Sequence, residues 1–220
     1  GVLKVTENVI ERVDLASKGL KFTHGYVEIR AKYSDIQNIG SAIWLNGAGL
    51  KDDFSIKAEG NDKYVVPEID SVEFGRNNNN YITLHSWNET DEINMLRVSK
   101  EPHLTGNLPQ GITVNTENSS FNMDMSQWHT YGFLRTSEKM EFYIDGIKVA
   151  AITKQYILDN HKALDLDILL DTRTSRTENE IRALFDNPTG LRIDTSLQFD
   201  ENQAVGTTAT SYIDYVRVYE

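Results

Sequence analysis

The chain has 220 residues, 39% hydrophobic and 25% charged, a balance that favours a folded domain with a substantial core over a disordered chain. Its formal net charge of −11 disfavours binding to nucleic acid or to anionic membrane surfaces. No apolar run approaches the roughly 20 residues of a membrane helix, so we expect no membrane insertion. The absence of cysteine excludes disulfides, thiolate catalysis and cysteine-type zinc sites.

Short segments that alternate apolar and polar residues predict β-strands along most of the chain. In Gly25–Tyr33, one face carries Val27, Ile29, Ala31 and Tyr33. The other predicted strands, in chain order, are Ser41–Leu45, Val65–Phe74, Tyr81–Trp87, Trp128–Arg135, Met140–Ile144, Ile147–Ile152, Leu164–Leu170 and Ser211–Tyr219. Turn signals recur about every ten residues, a spacing typical of an all-β sandwich or barrel.

The connections between these strands carry their own signals. Asp145-Gly146 between two apolar runs predicts a tight hairpin. Asn77–Asn80 is predicted as a loop tip, and Glu178–Phe185 as a helix of two turns before an Asp-Asn-Pro stop. Because no repeat, linker or break in composition is present, we expect a single domain over residues 1–220.

The strand Val65–Phe74 carries three carboxylates, Glu68, Asp70 and Glu73. A polar face turned to water is the alternative interpretation, but the other residues are mostly apolar, as in a central strand. Like charges on one face of a strand also destabilise it, so their presence needs a reason. Period two places Glu68 and Asp70 on one face and Glu73 on the other. A β-bulge at Ser71-Val72 returns Glu73 to the face of Glu68.

The spacing with such a bulge suits paired carboxylate chemistry. The Cα atoms of Glu68 and Glu73 would lie about 13 Å apart at roughly 3.3 Å per residue. Side chains that lean together reach the roughly 5–5.5 Å of a retaining glycosidase pair. Asp70 lies between them, and repulsion raises the pKa of at least one neighbour. One glutamate can then stay protonated as an acid while the other attacks as an anion.

The segment Glu68-Ile69-Asp70-Ser71-Val72-Glu73 resembles the E-x-D-x-x-E signature of glycoside hydrolase family 16. This is the bulged form, found in laminarinases, agarases, porphyranases and carrageenases. Further segments resemble family landmarks in the same order: Lys21–Lys32, Ser41–Leu45, Trp128–Phe133, Glu141–Gly146 and Ser211–Tyr219. The resemblance covers the chain from about residue 18 to the end.

The resemblance implies a β-jelly-roll sandwich with a concave cleft and endo-hydrolysis of a β-glycan with retention of configuration. It implies Glu68 as the nucleophile, Glu73 as the general acid/base and Asp70 as the residue that tunes them. Catalysis would need no cofactor, while Asp214 would help bind a structural calcium on the convex face. We expect a secreted or periplasmic monomer whose partner is a polysaccharide.

Two departures from the family pattern bear on these expectations. The chain starts near the second strand of the family, which indicates an N-terminal strand that is shortened or trimmed. Asp167–Thr174 stands where laminarinases have an N-L-A-x-G-G stretch. This weakens the assignment to β-1,3-glucan and moves weight toward algal β-galactans such as agar, porphyran or carrageenan. The choice between these substrates stays open.

We predict Trp44, His85, Trp87 and Arg76 as substrate-binding residues. Aromatic faces stack on pyranose rings, although each tryptophan has a core position as its alternative. The loop Arg173–Thr177 offers a second basic group for a sulfate, against a solvated loop as the simpler interpretation. A non-catalytic lectin on the same fold is the alternative function. The presence of all three carboxylates argues against it.

Overall fold

The computed structural model describes residues 1–8, 14–16, 22–34, 39–47, 65–74, 79–88, 93–97, 113–115, 120–160, 182, 184–198 and 208–220. These residues form fourteen strands and one helix. The strands are β1 (Leu3–Asn8), β2 (Asp14–Ala16), β3 (Gly25–Lys32), β4 (Ile39–Asn46), β5 (Val65–Phe74), β6 (Asn79–Asn88), β7 (Ile93–Arg97), β8 (Thr113–Asn115), β9 (Ser120–Asn122), β10 (His129–Arg135), β11 (Lys139–Ile144), β12 (Ile147–Thr153), β13 (Gly190–Gln198) and β14 (Thr208–Tyr219). The helix is α1 (Lys154–Asn160).

The strands form two sheets. Within the described residues, every pair of hydrogen-bonded strands is antiparallel. One sheet has six strands in the order β1-β14-β3-β10-β11-β12. The other has eight, in the order β2-β13-β4-β5-β6-β9-β8, with β7 also paired to β6. Strand β5 lies near the middle of its sheet, between β4 and β6, which are also its neighbours along the chain.

The core lies between the two sheets. Alternate residues of β3 are buried, and Val27, Ile29 and Ala31 face inward as their period-two spacing predicts. The eight-stranded sheet contributes Ile43, Leu45, Ile69, Val72, Ile82, Leu84, Leu191 and Ile193. Each side chain of this kind stabilises the fold by roughly 1.5–3 kcal/mol when fully buried. The all-β sandwich predicted from the sequence is confirmed.

The hairpin predicted at Asp145-Gly146 is also confirmed. Asp145 has φ 51° and Gly146 has φ 76°, the positive values that a two-residue hairpin turn requires. Asp145 also accepts a hydrogen bond from the backbone N–H of Thr130 through Oδ1 (2.9 Å). The side chain therefore fixes the turn to β10, the neighbouring strand.

Several sequence predictions need correction. Asn79 and Asn80 open strand β6 instead of forming a loop tip, and Asn80 is fully buried. The helix α1 is not predicted from the sequence. The Thr153 Oγ1 accepts a hydrogen bond from the N–H of Tyr156 and so caps the start of this helix. The sequence reading also lacks β1, β2, β7, β8, β9 and β13. Strands β2, β8 and β9 have only three residues each, which is too short to show a period of two.

One predicted strand and most of the predicted helix lie outside the described residues. Leu164–Leu170 lies outside the described residues, as does most of Glu178–Phe185, of which Arg182 and residues 184–185 are helical. Across the described part of the chain, no helix is both long enough and apolar enough to cross a membrane.

Candidate active site

A β-bulge interrupts strand β5 at the position that the sequence predicts. Asp70 pairs with Thr83 and Glu73 pairs with Tyr81, so Ser71 and Val72 together oppose a single residue of β6. The pairing with β4 shifts at the same place, between Ile43 and Trp44. The extra residue changes which side of the sheet the following residues occupy.

The bulge places the three carboxylate residues on one face of the eight-stranded sheet. Ile69 and Val72 are buried in the core between the sheets. Glu68 and Asp70 alternate with Ile69, and Glu73 follows Val72, so all three lie on the opposite face. We call this side of the sheet the carboxylate face.

The strand register defines which residues share this face. The row through Asp70 contains Arg192, Trp44, Asp70, Thr83 and Arg97. The row through Glu73 contains Asp14, Asp194, Ala42, Glu73 and Tyr81. The row through Glu68 contains Gly190, Asn46, Glu68, His85 and Met95. The three carboxylates therefore lie in three successive rows near the middle of the sheet.

Glu68 is held by a neighbour on β4. The Asn46 Nδ2 donates a hydrogen bond to the Glu68 Oε2 at 2.5 Å. Asn46 is itself buried, whereas Glu68 is only partly so. A hydrogen bond to the charged form of a carboxyl group favours that form and fixes its rotamer. The geometry therefore suits Glu68 to act as an oriented anion.

Asp70 is a carboxyl group whose pKa is raised by its surroundings in the site. Burial raises the pKa of Asp70 well above its usual range, and the charges of Glu73 and Asp194 raise it further. Its side chain is only 6% exposed. The sequence predicts a raised pKa on at least one neighbour of Asp70, which stays a prediction; the raised pKa of Asp70 itself is an addition from the structure. A protonated Asp70 can donate a hydrogen bond within the carboxylate face.

The predicted substrate-binding residues differ in how far the structure describes them. Trp44 lies on the carboxylate face beside Asp70, but it is 8% exposed and the guanidinium of Arg192 lies 5.0 Å from its ring centroid. The register places His85 opposite Glu68 and Trp87 opposite Val66, on the same face. Arg76 lies outside the described residues, as do Asp167–Thr174 and Arg173–Thr177. The binding role of all of them stays a prediction.

The predicted calcium ligand Asp214 has a protein counter-ion. Its Oδ2 accepts a hydrogen bond from the Arg30 Nη1 at 2.5 Å, and both side chains are about a third exposed. Among the residues described, no three acidic or histidine side chains group in a way that could hold a metal ion. A guanidinium at this carboxylate does not fit a calcium ligand, and the calcium site stays a prediction.

The sequence reading missed three residues of the carboxylate face: Asn46, Arg192 and Asp194. A signal for the last two was present, because Leu191 and Ile193 alternate with Arg192 and Asp194 as in a half-buried strand. Asn46 directly follows the predicted strand Ser41–Leu45, so extending that strand by one residue would have included it.

Comparison with solved structures identifies the architecture. The catalytic domain of an endo-1,3-β-glucanase (laminarinase) from Thermotoga petrophila RKU-1 aligns with 100% of this chain and 77% of its own, with a TM-score of 0.58 and 20% identity. The κ-carrageenase from Pseudoalteromonas carrageenovora aligns with 100% of this chain and 80% of its own, with a TM-score of 0.58 and 17% identity. The chain has the fold of these enzymes. The resemblance to the bulged members of glycoside hydrolase family 16 is thus confirmed at the level of the fold.

Comparison of sequences gives a narrower result. The endo-1,3-1,4-β-glycanase ExsH of Rhizobium meliloti (strain 1021) is 33% identical over 130 residues, which is 58% of this chain and 21% of that protein. The chain therefore spans about a fifth of the length of this curated relative. No family model matches the chain.

Proposed function

We propose that the chain is a retaining endo-β-glycanase whose active site is the carboxylate face. The observation that carries the proposal is the bulge in β5, because it places Glu73 on the face of Glu68 and Asp70. A strand without the bulge would direct Glu73 to the core side of the sheet. The laminarinase and κ-carrageenase with the same fold support this assignment.

The reaction follows from the roles of the two glutamates. The Glu68 carboxylate, oriented by Asn46, attacks the anomeric carbon while the Glu73 carboxyl transfers its proton to the glycosidic oxygen that leaves. Glu73, now a carboxylate, takes a proton from water, whose oxygen attacks the same carbon and releases Glu68. Two inversions give net retention. Asp70 supplies a neutral carboxyl beside both groups.

Charge on the carboxylate face favours a neutral β-glucan as the substrate. With Asp70 neutral and Glu73 holding the proton that it transfers, Glu68 and Asp194 carry the negative charge of this face. Their combined field repels a heavily sulfated chain. The name of the curated relative, an endo-1,3-1,4-β-glycanase, agrees with a β-glycan substrate of either kind.

An algal β-galactan is the second candidate, and a specific observation supports it. Arg192 lies on the carboxylate face with its guanidinium over Trp44, and the register places Arg97 at the other end of the same row. A guanidinium can bind a sulfate or carboxylate group in a bidentate manner. A secreted or periplasmic monomer that acts on a polymer outside the cell is consistent with either substrate.

A panel of polysaccharides tests the proposal. The wild-type chain is incubated with laminarin, lichenan, agarose, porphyran and carrageenan, and new reducing ends are measured. We expect release from laminarin or lichenan and at least a 10³-fold lower rate for Glu68→Gln. Glu138→Gln is the matched control, because Glu138 is an exposed glutamate in the turn between β10 and β11 of the other sheet. Binding of a glycan without cleavage, equal in wild type and Glu68→Gln, would instead establish a lectin.

A further inference from the structure

One acidic residue of the carboxylate face has no role in the reaction as written. Asp194 lies on β13, is 1% exposed, and pairs with Ala42 of β4, which in turn pairs with Glu73 of β5. Removing a carboxylate from water costs free energy, so a buried Asp194 calls for a partner or a function that explains it.

Ala42 lies between Asp194 and Glu73 of β5, and its small side chain lets the charge of Asp194 act on β5. Two strand spacings separate the backbones of Asp194 and Glu73 by about 10 Å. The residue between them carries only a methyl group, so no bulky side chain intervenes in this row. The influence of Asp194 also extends to the opposite sheet: burial raises the pKa of Tyr33, and the charge of Asp194 raises it further.

Ionisable residues lie near Asp70 on several strands of its sheet, whereas β4 contributes Trp44 beside it. On its own strand these are Glu68 and Glu73. The register places Asp194 and Arg192 of β13, Asp14 of β2, Tyr81 and His85 of β6 and Arg97 of β7 in the same or adjacent rows, and Tyr33, which follows β3, interacts with Asp194. Arg192 lies two residues before Asp194 on the same face, so β13 places opposite charges in adjacent rows.

We propose that Asp194 is a positioning residue of this site, whose negative charge holds Asp70 in its neutral, hydrogen-donating form beside Glu68. The inference rests on the proposed glycanase function. The neutral Asp70 carboxyl donates toward the nucleophile, and Asn46 donates to it from β4. Two donors from two strands then fix Glu68 for attack. Asp194 acts through Asp70 and does not touch the sugar.

Opposite charge changes on β13 must then have opposite effects. Asp194→Asn removes an anion, so Asp70 loses its proton at a lower pH. Arg192→Gln removes a cation, so Asp70 loses its proton at a higher pH. A unit charge at about 10 Å with an effective dielectric constant of about 20 corresponds to roughly one pH unit. A merely structural role of either residue would not produce shifts of opposite sign.

The first test is the pH dependence of kcat/KM for the full chain, whose alkaline limb reports proton loss from Asp70 or from the proposed acid Glu73; the second test distinguishes the two. We expect the alkaline limb to move about one pH unit lower in Asp194→Asn and to move higher in Arg192→Gln. Asp159→Asn is the control, because it removes the same charge from an exposed position of α1 and must leave the limb in place. A limb that stays in place in Asp194→Asn, with only a lower rate, would overturn the proposal.

The second test needs no substrate, so it separates this proposal from the function itself. Carboxyl ¹³C resonances of Asp70 are followed by NMR during pH titration of the wild type and the same three variants. We expect the midpoint of Asp70 to fall in Asp194→Asn, rise in Arg192→Gln and stay in Asp159→Asn. An unmoved midpoint in both β13 variants refutes the role of Asp194 even if the chain cleaves glycans. If Asp194→Asn does not fold, the sign of the Arg192→Gln shift decides, and a downward or absent shift refutes the proposal.

Discussion

Asp70 and Glu141 are two carboxyl groups in the two sheets of one sandwich, and their environments drive them in opposite directions. Both are less than a tenth exposed. Burial raises the pKa of Asp70, and Glu73 and Asp194 add to that effect. Burial also acts to raise the pKa of Glu141, but hydrogen bonds from Tyr143, Lys139 and Lys148 outweigh it and lower the pKa.

The difference lies in the partners that each strand register supplies. Glu141 accepts from the Tyr143 hydroxyl at 2.7 Å and from the ammonium groups of Lys139 at 3.0 Å and Lys148 at 3.3 Å. Asp70 has acidic residues on its own strand and on β13 instead. The six-stranded sheet thus neutralises its buried charge, whereas the eight-stranded sheet concentrates like charge. Like charges close together shift pKa values, and shifted pKa values cluster at functional sites, which agrees with the proposed active site.

The largest effect is expected from removing Glu68, the proposed nucleophile. Glu68→Ala should lower turnover at least 10³-fold, because no glycosyl-enzyme can form. External azide should restore activity and give a product of inverted configuration, since a small anion fits the space left by the side chain. Glycosyl azide and its anomeric form are measured by NMR. Wild-type turnover in this variant would remove Glu68 from the mechanism.

Removing the acid/base should give a different signature. Glu73→Ala should retain the first step with substrates that have good leaving groups, yet stall at hydrolysis of the intermediate, because the same residue is the base there. A burst of leaving group followed by a slow steady state is the expected trace. If azide rescued Glu68→Ala and Glu73→Ala with the same stereochemistry, the two roles would be assigned wrongly.

Asp70→Asn should have an intermediate effect on rate, about 10²-fold, because the amide keeps the shape, the neutrality and a donor group but cannot exchange a proton with the neighbouring glutamates. Its effect on stability has a defined sign. The folded pKa of Asp70 is raised, so the folded state holds its proton longer, and wild-type stability falls as pH rises from the unfolded value through the folded one. Denaturant unfolding across that range should show a decline in wild type that Asp70→Asn lacks. Parallel curves would contradict the raised pKa.

The site was predictable to the extent that it depends on strand period. In a regular strand over Val65–Phe74, Glu73 would lie on the face opposite Glu68 and Asp70. One extra residue between Asp70 and Glu73 brings it to their face, and this requirement locates the bulge at Ser71-Val72. The hairpin at Asp145-Gly146 was predictable because few residues tolerate positive φ. Both signals are local.

The missed part of the site depends on which strands become neighbours. Asp194 lies beside Glu73 only because β13 pairs with β4, a contact between residues about 150 positions apart that no local pattern encodes. Asn79 and Asn80 read as a turn by composition, but pairing with β5 and β9 keeps them in a strand. Tertiary pairing decides both places, and at Asn79 and Asn80 it overrides the local turn propensity.

Glu141→Gln should have a moderate effect on stability and none on cleavage. The folded pKa of Glu141 is lowered, so its contribution is complete above the unfolded pKa and is lost as pH falls through the folded one. We expect a loss of about 1–3 kcal/mol at pH 7 from the hydrogen bonds to a charged group. Urea unfolding at neutral pH and again below about pH 4 checks this, because the difference must shrink in acid. An equal loss at both values would point to lost packing.

The smallest effect is expected at the surface pair of Arg30 and Asp214. Both side chains are about a third exposed, and exposed ion pairs contribute about 0–1 kcal/mol. Asp214→Asn should therefore change the free energy of unfolding by less than about 1 kcal/mol, and less still at high salt. A larger loss that calcium chelation reproduces in the wild type would instead establish the predicted metal site.

The anomeric form of the first product tests the central claim most directly, because it depends on Glu68 and Glu73 sharing a face. A β-glycan oligosaccharide that the chain cleaves is followed by ¹H NMR from the first seconds of the reaction, before mutarotation mixes the anomers. Retention predicts that the new reducing end appears as the β-anomer and that the α-anomer grows in later. An α-anomer at the start would mean single-step inversion and would contradict the assignment of Glu68 as the nucleophile.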